Sequence, residues 1–142
     1  MHALGAERLG HGVRSIEDPA LVTYLAEHSV PLEVCPTSNL QLGVYPSLEQ
    51  HPLRALHVAG VPITINTDTP AIFATTLSDE LSLLETQFGL DLASIDEIIL
   101  NGARASFLPP EQKDALVTTF QAELDALKAM HFNPPDGVRG GR

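Results

Sequence analysis

Three short segments carry the side chains best suited to chemistry. "GHG" holds His11 between two glycines, "CPTSN" ends in Thr37, Ser38 and Asn39, and "NTDTP" places Asp68 and Thr69 just before a proline. One imidazole and one carboxylate can serve a metal such as zinc or act as an acid–base pair. Gly10 and Gly12 leave room for a ligand beside His11 and permit unusual backbone angles. Each segment also has an ordinary reading. His11 fits a hydrogen-bonded strand-end histidine, Asp68-Thr69-Pro70 fits an N-cap or Asx turn, and Ser38 and Asn39 fit loop structure. A Ser-His-Asp triad of Ser38, His11 and Asp68 is conceivable, but Ser38 lacks the G-x-S-x-G elbow. Cys35 stands in an apolar run and reads as a buried, inert thiol. His28, His51, His57 and His131 show no metal-ligand spacing, and His51 and His57 read as surface residues on different helix faces. Asp79-Glu80 reads as a pair of first-turn acids favoured by the helix dipole.

The elements that must position these groups recur as a short apolar run, a polar loop and an amphipathic stretch. The first run, Arg8-Leu9-Gly10, leads through "GHG" to Asp18-Pro19, an N-cap with proline at the first helical position. Leu21, Val22 and Leu25 then share one helical face. The second run, "PLEVC", is followed by the polar loop "PTSNLQLGVYPS" and a helix over roughly 49–58, stopped by Gly60. The third, "VPITIN", leads to a helix at about 77–88, capped by Thr76 and stopped by Gly89. Ser94 with Glu97 makes a capping box for a helix through Ala105, and Pro109-Pro110 opens a last helix. The tail from about residue 131 is rich in Pro and Gly and reads as flexible.

Strands alternating with helices imply an α/β fold with parallel pairing and right-handed crossovers. Parallel strands covered on both faces are apolar throughout, and such folds gather their chemistry at the carboxyl ends of the strands. Asp68, at the tip of "VPITIN", stands at such a position. Three strands alone would leave both sheet edges bare.

The chain has 142 residues, 44% of them hydrophobic, and a net charge of −10. Few, scattered Lys and Arg residues argue against nucleic acid and against an anionic membrane surface as partners. A single cysteine excludes an internal disulfide, and no apolar run approaches the ~20 residues of a membrane span. No signal peptide is recognisable, so a cytoplasmic protein is the default expectation.

Taken in order, "GAERLGHGVRSIEDPAL", "PLEVCPTSN", "ITINTDTPAIFATTLSDE" and "NGARASFLP" resemble the C-terminal half of the adenosine deaminase family, within the metal-dependent amidohydrolase barrels. The resemblance covers roughly residues 3–125. It implies the C-terminal part of a (β/α)₈ TIM barrel, about three β/α units plus C-terminal helices over residues 1–130, with a flexible tail at 131–142. It also implies one Zn²⁺ per complete barrel and hydrolytic removal of the 6-amino group of an adenine-type purine, with a purine nucleoside or base as substrate. By that resemblance Asp68 is a zinc ligand that also contacts the attacking water, and His11 orients and stabilises that water. Thr69 stands where many members carry a second Asp that hydrogen-bonds the purine N7. A hydroxyl there carries no charge, which bears on substrate identity more than on metal binding.

The family's His-x-His pair and its later histidine ligand with a nearby catalytic glutamate have no counterpart in these 142 residues. The expectation is therefore a C-terminal fragment: a truncated gene, a mis-called start, or one piece of a split protein. Such a chain would not hold zinc tightly by itself and would be active only with an N-terminal half. Two other readings stay open. One is a non-catalytic remnant or interaction module that associates through its sheet edges with itself or another barrel protein. The other is a metal-free domain that keeps its rim for a small ligand. Unclosed strands also lead us to expect poor solubility, a molten character or self-association of the isolated chain. A sharp cooperative unfolding transition from a demonstrated monomer would contradict that.

Overall fold

The computed structural model describes residues 5–132. The chain divides into two compact units, Met1–Ala105 and Ser106–Arg142.

In the first unit the three apolar runs form strands β1 (Leu9–Gly10), β2 (Leu32–Val34) and β3 (Ile63–Ile65). They pair in parallel in the order β1-β2-β3, with Leu9 beside Leu32 and Leu32 beside Ile63. This register sorts the side chains by face, because successive residues of a strand point to opposite sides. Leu9, Leu32, Val34, Ile63 and Ile65 join the core with Leu25, Leu53, Leu56, Leu84 and Ile98 from the surrounding helices. The opposite face is polar, where Gly10, Glu33 and Thr64 lie side by side and Arg8 Nε meets Glu33 Oε1 at 3.0 Å. The expectation of strands apolar throughout therefore holds for the helix-covered face only.

Local capping explains most helix starts. Helix α1 (Pro19–Glu27) begins where the Asp18 carboxylate accepts from the Ala20 and Leu21 amides, with Pro19 in its first turn, and it buries Val22 and Leu25. Helix α5 (Leu77–Thr86) opens with a capping box between Thr76 and Asp79.

Four local expectations need correction. The "PTSN" segment is not a loop: it forms a short helix, α2 (Pro36–Gln41), before the chain turns away. The helix expected over 49–58 is broken into a 3₁₀ turn (Leu48–Gln50) and α3 (Leu53–Val58). The cause is Pro52, which disfavours helical geometry at the preceding residue; His51 is extended, with φ −71° and ψ 130°. A four-residue helix, α4 (Pro70–Phe73), follows the Asp68 turn. Finally, α6 (Leu92–Arg104) is capped by Asp91, whose carboxylate accepts from the Ser94 amide, and not by Ser94. Glu97 instead pairs with Arg104 at 2.6 Å.

The described part of the second unit is dominated by α7 (Pro110–Phe132), which starts at the expected proline pair and has no buried residue. Of the tail expected at 131–142, His131 and Phe132 end this helix, and the remainder lies outside the described residues. No helix among the described residues is long and apolar enough to cross a membrane.

Candidate active site

All three chemistry-bearing segments reach the carboxyl ends of adjacent parallel strands, and two backbone distortions aim their side chains. His11 leaves β1 with φ +56° and Asp68 follows β3 with φ +58°, both in the left-handed region that residues with a Cβ seldom occupy. Such conformations persist only where the surroundings enforce them, and they concentrate at working sites. Gly12 continues the turn at φ +65°, where a Cβ would meet Leu32 Cδ2 at 2.6 Å. The position therefore excludes larger residues on two counts, backbone angle and space.

His11 Nε2 and Asp68 Oδ2 face one another at 3.7 Å, with the two side chains 43% and 30% exposed. Ser38 Oγ donates to the same Asp68 oxygen at 2.7 Å, and Thr69 Oγ1 donates to Asp68 Oδ1 at 3.3 Å. His11 and Asp68 open on a cleft of about 440 Å³, lined also by Gly10, Glu33, Asn66 and Leu77. The pattern does not fit the conceivable serine triad. A nucleophilic serine must give its proton to the imidazole, whereas Ser38 donates to the carboxylate. Asp68 does not cap the following helix either; Thr69 holds that position.

Behind the rim lies a buried layer that sequence reasoning missed. Asn39 is 1% exposed and His51 5%, so the readings of a loop residue and a surface histidine are both corrected. His51 Nε2 bonds Asn39 Oδ1 at 3.1 Å, and Asn39 Nδ2 bonds His11 Nδ1 at 3.1 Å. The His51 ring sits between Tyr45 and Phe88, and burial pushes its pKa down to about 4. His57, read as a surface residue, is half-buried, and His28 is exposed. Glu80 is the second omission. It is wholly buried and accepts from the Thr37 amide at 3.2 Å and from Thr75 Oγ1 at 2.7 Å. Cys35 is buried as expected, and its thiol is pushed up to about 11, first by burial and then by Asp68 and Glu80. A thiol so disfavoured as thiolate is a poor nucleophile.

Among the described residues no three His, Cys, Asp or Glu side chains converge as a metal would require. One carboxylate and one imidazole at the rim fall short of the three protein donors typical of catalytic zinc. These residues alone therefore do not fit the ion.

The family model described as adenosine deaminase matches residues 1–123. An aminodeoxyfutalosine deaminase of Streptomyces coelicolor is 46% identical over 105 residues, which make up 74% of this chain and 27% of that protein. An adenosine deaminase of Klebsiella pneumoniae is 43% identical over 114 residues, 80% of this chain and 34% of its own. Among solved structures, an amidohydrolase from Burkholderia ambifaria with bound Zn aligns with a TM-score of 0.80 at 28% identity, over 87% of this chain and 35% of that one. The chain thus spans between about a quarter and a third of the length of these proteins.

Proposed function

The chain belongs to the adenosine deaminase family, and we propose that it supplies the C-terminal part of a (β/α)₈ barrel that hydrolyses the 6-amino group of an adenine-type purine. The observation that carries this reading is the meeting of His11 Nε2 and Asp68 Oδ2, 3.7 Å apart, above the ends of parallel strands. Water adds at C6 of the purine, the C6–N bond breaks, and the amine leaves as ammonia.

Each rim residue has a part in that reaction. A water placed between His11 and Asp68 touches both and is held on one side of the substrate. Ser38, donating to Asp68 Oδ2, fixes the carboxylate that holds it. Asp68 is also the donor this chain offers to a metal, with the remaining donors and the proton-transferring acid coming from an N-terminal half. Zinc, when bound, supplies Lewis acidity that lowers the pKa of a water to about 7. Thr69, next to Asp68 and donating to its Oδ1, carries a hydroxyl that can offer the purine one neutral hydrogen bond. Relatives of near-equal similarity act on aminodeoxyfutalosine and on adenosine by their names, so the proposal extends to the purine class and no further.

The test is zinc content and adenosine turnover, followed by the change in ultraviolet absorbance, with and without a co-expressed N-terminal half of a related deaminase. Activity in the mixture alone is the expected result. Neither zinc nor turnover in either sample would overturn the proposal and favour the non-catalytic interaction module.

A further inference from the structure

We propose that Asn39 and His51 are positioning residues that lock His11 as the tautomer protonated on Nε2, so that its ring presents a donor to the cleft. One group in this cluster has a role that is not adjustable. The Leu53 backbone amide can only donate, and it points at His51 Nδ1 at 3.2 Å. His51 Nδ1 is therefore an acceptor, and in the neutral ring the proton sits on Nε2. That N–H points at the Asn39 side chain at 3.1 Å, so the Asn39 atom facing it is the carbonyl oxygen. The amide orientation follows without further choice, and the Asn39 NH₂ faces His11 Nδ1 at 3.1 Å. An NH₂ only donates, so His11 Nδ1 accepts and its proton is carried on Nε2. The far end agrees, because Nε2 faces the acceptor Asp68 Oδ2.

Four groups thus form one directed chain from the start of α3 to the rim. Every link is set by the one before it, and burial of Asn39 and His51 keeps water from offering alternatives. The consequence is chemical. A ring with a bare Nε2 would take a proton from a water in the cleft, whereas a ring with Nε2–H donates to an oxygen on which negative charge develops. The inference places His11 in the second role. Only this consequence rests on the deaminase reading; the tautomer itself does not.

The test is ¹⁵N spectroscopy of the histidine-labelled chain above pH 7, in solution or, for an associated form, as a hydrated solid. His11 and His51 are both expected as Nε2–H, with His11 favouring that form by roughly ten to one, the scale of one hydrogen bond. The near-isosteric Asn39→Asp replaces the amide by a carboxylate that accepts from both rings, and it should shift His11 toward Nδ1–H while His51 stays Nε2–H. The second variant, His51→Gln, keeps a donor toward Asn39 and should keep His11 as Nε2–H. An Nδ1–H form of His11 in the unaltered chain, or no tautomer change in Asn39→Asp, would overturn the inference. Failure of turnover with the tautomers as expected would instead strike the deaminase reading and leave the positioning chain standing.

Discussion

Asp68 and Glu80 are both carboxyl residues that act on the Cys35 thiol, yet the fold treats them oppositely. Asp68 keeps its side chain 30% exposed in the cleft, on a left-handed turn, and is held by the short side chains of Ser38 and Thr69. Glu80 is wholly buried, and its two oxygens serve the Thr37 amide and the Thr75 hydroxyl. The first group retains a face for something outside the chain; the second spends its acceptors on the chain itself. Residue type says little until exposure and partners are known. A carboxyl group that caps a neighbouring helix from inside serves stability, and one on a strained turn at a strand tip keeps a face open to the cleft.

That contrast can be broken by substitution, and the largest expected effect on stability is at Glu80. Glu80→Ala strands the half-buried Thr37 amide and the buried Thr75 hydroxyl and opens a cavity, for a loss of roughly 3–5 kcal/mol. Urea denaturation reads the loss, and hydrogen exchange at the Thr37 amide localises it. Glu80→Gln keeps an acceptor and should recover part of it. A cost below that of Asp68→Asn would void the distinction between the two carboxyls.

Next in size is the rim's own support. Gly12→Ala must adopt φ +65° against the Leu32 side chain, a loss of about 2 kcal/mol from strain and overpacking. Thermal denaturation checks it, and an unchanged midpoint would show that the β1 turn relaxes freely.

His51 adds a pH dependence from the buried side of the comparison. Its folded pKa, about 4, lies below the ordinary histidine value of 6.5. Between those values the unfolded chain binds the proton and the folded chain does not. Stability from this group is therefore complete above about pH 6.5 and falls as the pH drops toward 4, by on the order of 2 kcal/mol. His51→Gln should flatten that segment of the stability profile. An unchanged profile would mean the ring is more open to water than its 5% exposure implies.

The smallest effect on stability belongs to Asp68→Asn. An amide oxygen can still accept from Ser38, so the loss should stay below about 1 kcal/mol. In the complemented barrel the same change should lower turnover by at least about 100-fold, since the substituted group would contact both metal and water. Stability and activity would then separate in opposite directions for the two acids, and turnover surviving Asp68→Asn would remove Asp68 from the chemistry.

Much of this architecture was legible because its causes are local. Asp18 caps α1 with amides two and three residues away, and Thr76 boxes with Asp79; such pairs are visible in any window of five residues. The strands were visible as apolar runs, and His11 and Asp68 stood out as polar groups at their tips. The α6 cap was misread by one turn because Asp91 and Ser94 both offer a capping side chain, and only the observed start of the helix at Leu92 decides between them.

The order of β and α elements, the parallel α/β class, the rim positions of His11, Asp68 and Thr69, and the motifs that mark the family can all be read from the residues in order. Contacts between residues far apart in the chain emerge only on folding. Helix α2 has no capping side chain of its own; Glu80, 43 residues on, accepts from its first-turn amide. Asn39 became legible as a bridge only when β1 and β2 paired and brought it to His11, 28 residues away, while the Pro52 break turned His51 inward to meet it. The physical reason is the same in each case. A buried polar group must find its partner wherever the packed chain supplies one, and separation along the sequence does not limit that choice.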